Sequence, residues 1–82
     1  MRKAMQRDVI ETKVIAILSM ILKVPVDGIA TREALAQWDS LKHIEIVFAI
    51  EDELGIQFSE AELAELDSVA SIVDAAMCRH AA

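Results

Sequence analysis

Apolar residues return at every third or fourth position along most of this chain and nowhere alternate with polar ones over the length of a strand, so the sequence reads as helices joined by loops. One proline and two glycines punctuate it, at Pro25, Gly28 and Gly55. Four helices result. The first runs from about Asp8 to about Leu22, with Ile10, Val14, Ile17, Leu18 and Ile21 as its buried stripe and Asp8 with Glu11 as a D-x-x-E start resembling a capping box. Pro25 forbids continuation, since it has no amide hydrogen and clashes with the preceding turn. The second starts at Asp39 or Ser40 and ends at Gly55, the residue type that most readily turns left-handed at a helix end. "SEAELAEL" opens a short third helix with an S-x-x-E capping box, Ser59 and Glu62, and Asp67 or Ser68 caps a last helix through about Arg79.

A chain of 82 residues makes one small domain, with no room for a catalytic cleft beside a substrate domain. Cys78 is the only cysteine, so no intramolecular disulfide forms and a reducing cytoplasm is the expected setting. The formal net charge of −6 and pI near 4.7 oppose binding to phosphate backbones and favour basic partner surfaces. "MRKAMQR" followed by "VIAILSMIL" mimics a signal peptide, but Asp8, Glu11 and Lys13 interrupt the approach. The apolar run also falls far short of the roughly 20 residues of a membrane span. The chain holds no internal repeat and no low-complexity segment.

Residues 23–39 form a connection too long for a plain linker in so small a domain. Val26, Ile29 and Leu35 are its expected anchors on the core, with a short turn around Thr31 to Leu35. On the second helix, Ile46, Val47, Ile50 and Leu54 share the core side. The opposite stripe mixes Leu41 and Phe48 with Glu45 and Asp52, and Asp39 and Glu51 lie alongside. Either its two apolar residues edge the core, or the stripe is a docking surface with an apolar centre and an acidic rim. Ile44 falls between the two faces, and with Leu63 and Leu66 of the third helix it could line an opening into the apolar interior.

Asp39, Ser40 and His43 supply the residue types of a hydrolytic triad. They are near neighbours on one helix start, however, and no glycine-rich turn offers an oxyanion hole. No catalytic residue is assigned. His43 and His80 are far apart, with no cysteine pair or calcium-loop pattern, so no metal site is expected either. Ser40 on this reading is a helix cap or a site acted on by another protein.

"WDSLKHIEIVFAIEDELGIQF", with Asp39, Ser40 and Leu41 at its start, resembles the modification-site helix of the acyl carrier protein family, whose signature is D-S-L at the start of the second of four helices. "VIAILSMILKVPVDGI" looks like that family's first helix and turn, "QFSEAELAEL" like its short third helix and "DSVASIVDAA" like its fourth. The resemblance implies an all-α, small four-helix bundle of acyl-carrier type, spanning residues 8–80 between an N-terminal extension (1–7) and a tail (81–82). It implies a 4'-phosphopantetheine arm on Ser40, flanked by Asp39 and Leu41, transferred from coenzyme A by a separate phosphopantetheinyl transferase with Mg²⁺. The arm's thiol then carries acyl groups as thioesters.

Two departures from the family's commonest pattern stand out. Lys42 and His43 follow D-S-L where an acidic residue is frequent, and Gln37 and Trp38 replace the usual preceding glycine. The expectation is a monomeric, cytoplasmic carrier that is not itself an enzyme, serving fatty-acid, polyketide or a related specialised pathway. Its partners would be the transferase and acyl-loading and acyl-processing enzymes with basic docking surfaces. An aminoacyl or peptidyl carrier, or a cofactor-free helical adaptor, is the alternative.

Overall fold

The computed structural model describes residues 6–81, and residues 1–5 of the N-terminal extension and Ala82 of the tail lie outside the described residues. Four helices follow one another: α1 (Arg7–Leu22), α2 (Ser40–Leu54), α3 (Glu60–Leu63) and α4 (Val69–Ala81). Helix α1 packs against both α2 and α4. Ile10, Val14 and Leu18 of α1 meet Ile46 and Ile50 of α2 and Val69, Ile72 and Val73 of α4 in one fully buried core. The fold is an all-α bundle of three long helices and one short one.

Helix α1 starts one residue before Asp8, and the expected D-x-x-E cap is not what begins it. Gln6 occupies the cap position without a side-chain hydrogen bond, and its carbonyl accepts the amides of Val9 and Ile10, each at 3.1 Å. The backbone thus closes the first turn by itself, and Arg7 pairs with Asp74 of α4 at 2.6 Å. Asp8 lies in the first turn, where a carboxylate meets the positive end of the helix dipole. At the far end Leu22 is buried and Ile21 only half-buried. The stop falls at Lys23, in the left-handed conformation (φ 60°), with its amide on the Ser19 carbonyl at 2.9 Å.

The long connection is stitched to the rest of the fold. The Arg32 amide bonds the Asp67 carbonyl at 2.8 Å and the Val69 amide bonds the Ala30 carbonyl at 3.0 Å, through the isolated bridge Thr31–Ser68. Val26 and Leu35 pack partly buried against the core. Ile29 does not anchor, being 86% exposed. Asp27 closes a tight turn there, its carboxylate accepting from the Ile29 amide at 3.1 Å and its carbonyl from the Ala30 amide at 3.2 Å, and Ala30 takes the inner place.

Gly55 ends α2 at φ 66°, a conformation that costs other residues a clash with their own Cβ. The capping box at Ser59 and Glu62 forms in full. Ser68 and Ser71 cap α4 reciprocally, each side-chain oxygen accepting the other's amide at 3.0 Å, and the helix runs on past Arg79 to Ala81.

Candidate functional site

Asp39 sets the geometry of the α2 start. Its carboxylate accepts the Lys42 amide at 2.9 Å and its carbonyl the His43 amide at 2.8 Å, the arrangement that satisfies otherwise orphaned first-turn donors. The cap role therefore belongs to Asp39, which leaves Ser40, the first helical residue, with its side chain exposed. Arg32 reaches the serine from the long connection. Its Nε donates to the Trp38 carbonyl at 3.2 Å and its Nη2 to Ser40 Oγ at 3.3 Å.

Beneath the serine lies a polar relay that the sequence does not announce. Trp38 is 2% exposed, and its indole N–H donates to His43 Nδ1 at 2.9 Å. With Nδ1 accepting, the ring hydrogen sits on Nε2, which donates to the Leu63 carbonyl at 3.0 Å. Both nitrogens of His43 are thus engaged within the fold, so Asp39, Ser40 and His43 do not form a hydrolytic triad, and Ser40 has no base from this imidazole. The relay joins the loop before α2, the first turn of α2 and the end of α3.

Of the expected docking residues, Leu41 and Phe48 are about two-thirds exposed, and Glu45 and Asp52 are exposed as well. Lys42 Nζ lies 3.8 Å from Glu45 Oε1. Glu51 is turned elsewhere: half-buried, its carboxylate accepts the Phe58 amide at 2.8 Å and holds the chain after Gly55. Asp39 is likewise committed to a backbone amide.

Ile44 and Leu63 line a small cavity of about 130 Å³ with His43, Val47 and Phe48. Leu66 is not part of it; 2% exposed, it packs into the core, its edge facing a surface hollow beside Glu65, Ala75 and Cys78. On the outer side of α3, Glu62 accepts from the Arg79 guanidinium and from the Ser59 amide, and these two donors, Arg79 first, hold its carboxyl below the usual carboxylate range.

Among the described residues, no cluster of three or more His, Cys, Asp or Glu could hold a metal ion, and no helix is long and apolar enough to cross a membrane. Arg32 and the hydrogen bond between Trp38 and His43 are what sequence reading missed. The indole and imidazole stand five positions apart with no helical repeat between them, and Arg32 meets Ser40 only because the Thr31–Ser68 bridge folds the loop back.

No curated protein matches the chain. A family model does, described as the phosphopantetheine attachment site and covering residues 12–76, a span that runs from within α1 into the middle of α4 and includes the α2 start. Over that span, which takes in most of its length, the chain belongs to the phosphopantetheine-attachment family, whose cofactor is covalent 4'-phosphopantetheine.

Proposed function

We propose that Ser40 is the residue to which the phosphopantetheine is attached, and that the domain is an acyl carrier which passes acyl intermediates between enzymes of fatty-acid, polyketide or a related specialised pathway. The observation that carries this reading is the Ser40 side chain, exposed at the first position of α2 within the matched span. A phosphodiester there meets unpaired first-turn amides and the positive end of the helix dipole, a favourable term of about 1 kcal/mol or less in water. Ser40 lacks an activating base, so a separate phosphopantetheinyl transferase, using coenzyme A and Mg²⁺, makes the bond. When bound, the group supplies the terminal thiol on which acyl cargo is held as a thioester.

The chain's own residues then serve binding. Leu41 and Phe48, rimmed by Glu45 and Asp52, present an apolar centre and acidic edge to basic surfaces of the transferase and of acyl-loading and acyl-processing enzymes. Ile44 and Leu63 form the mouth through which an acyl chain enters between α2 and α3. Each methylene buried there gains at most about 0.8 kcal/mol. The carrier acts as a cytoplasmic monomer.

Intact mass decides the matter. Incubation of the apo protein with coenzyme A, Mg²⁺ and a promiscuous transferase adds one phosphopantetheine, and Ser40→Ala adds none. Modification at another residue, or none with several transferases, overturns the reading.

A further inference from the structure

Arg32 is fixed from both ends before anything is attached to Ser40. Its amide is tied to the Asp67 carbonyl at 2.8 Å, and its side chain is half-buried with Nε on the Trp38 carbonyl at 3.2 Å. Trp38 is itself immobilised by burial and by its bond to His43. What remains free is the outer part of the guanidinium, with Nη2 at 3.3 Å from Ser40 Oγ. Of the described cations, Arg7, Lys13, Lys42 and Arg79 each have a carboxylate within ion-pair distance. Arg32, like the exposed Lys23 at the end of α1, pairs with no carboxylate among the described residues, in a chain whose net charge is −6. An anchored cation that is left uncompensated amid so many carboxylates, and that touches the one hydroxyl at the α2 start, is arranged for an anion yet to arrive.

We propose that Arg32 clamps the phosphodiester at the root of the arm, its free N–H groups donating to the non-bridging oxygens of the phosphate on Ser40. The inference rests on Ser40 being the attachment point. Those oxygens are bonded to the phosphorus that Ser40 Oγ itself carries, so the group that now donates to Oγ stands beside them. A guanidinium is suited to the task because its planar fork meets phosphate with two parallel, charge-assisted bonds. Its prior anchoring reduces the side-chain entropy lost when those bonds form. The consequence is directional: the arm leaves the protein from a fixed root beside the loop 23–39, on the Trp38 side of α2.

The test compares apo and holo protein, the latter made with transferase, coenzyme A and Mg²⁺ and checked by intact mass and by peptide mapping to Ser40. In ¹H–¹⁵N spectra of the arginine side chains, the Arg32 Nε signal shifts and its Nη signals sharpen on conversion to holo, while those of Arg7 and Arg79 stay in place. The ³¹P signal of the holo protein shifts on Arg32→Gln and is partly restored by Arg32→Lys, which returns the charge without the fork. Modification at Ser40 with unmoved Arg32 signals and an unmoved ³¹P resonance overturns the clamp alone and leaves Arg32 as a fastener of the loop. Mass showing no modification at Ser40 removes the attachment reading, and the clamp with it. The wild-type comparison needs no variant, so a folding defect in Arg32→Gln leaves the test intact.

Discussion

Helix α2 buries His43, Ile46, Val47, Ile50 and Leu54, whereas α3, four residues long, buries none of its own. The two helices nonetheless contribute to one cavity, between Ile44, Val47 and Phe48 on one wall and Leu63 on the other. Wall α2 is held by apolar burial against α1. Wall α3 is held by the half-buried Leu63 against the core and by two polar ties, the His43–Leu63 bond and the Glu62–Arg79 pair, while its capping box closes only its own first turn. Burial resists separation across the whole helix, while hydrogen bonds exchange for water at a net cost of only about 1 kcal/mol each. The difference predicts that α3 opens before α2.

The sharpest way to break that contrast is to cut each wall in turn. Ile50→Ala removes a fully buried side chain and is expected to cost about 2–5 kcal/mol in urea denaturation. Leu63→Ala removes a half-buried one and is expected to cost roughly 1 kcal/mol. Equal losses would mean that α3 is bound as tightly as α2.

A smaller effect tests the relay. His43→Ala leaves the buried Trp38 N–H and the Leu63 carbonyl without their partner, and an orphaned buried donor costs about 1–3 kcal/mol. The loss should be concentrated near α3, so amides of residues 60–66 exchange with deuterium faster while those of the α1 core do not. Unchanged protection over 60–66 would show that the His43–Leu63 bond is not what holds this wall.

Much of this architecture is legible in the sequence, because it rests on local rules. The apolar spacing gives the α2 core face, Gly55 its end, and S-x-x-E the start of α3. The D-S-L tripeptide and its four-helix setting point to the family. What stays hidden depends on contacts distant in sequence. The outward turn of Ile29 follows from Asp27 competing for nearby amides. The diversion of Glu51 follows from where Phe58 returns. Leu66 reads like Leu63 in a helical repeat, yet α3 stops at Leu63, and the turn beyond it sends Leu66 into the core. Arg32 lies eight residues before Ser40, and only the pairing of the loop with the start of α4 brings them together.

The smallest expected effect concerns the outer tie of α3 and carries a sign. Glu62 has its carboxyl held below the usual range by Arg79 first and by the Ser59 amide second, so the folded state binds fewer protons there than the unfolded chain. Its contribution is therefore present above the ordinary carboxylate pKa and is lost as pH falls through the lower, folded value. Stability, and with it the protection of the α3 amides, should fall as pH drops below about 5. Glu62→Gln should flatten that slope. Because the pair with Arg79 is exposed, added salt should weaken it, since charges at a surface are screened over roughly 10 Å at 0.1 M. The part owed to the Ser59 amide should persist in salt and in Arg79→Gln. Denaturation and hydrogen exchange at pH 7, 5 and 4, at low and high ionic strength, separate the two. If Glu62→Gln follows the wild-type pH profile at low salt, the charge on Glu62 adds nothing to α3, and the His43 bond and the packing of Leu63 hold that wall.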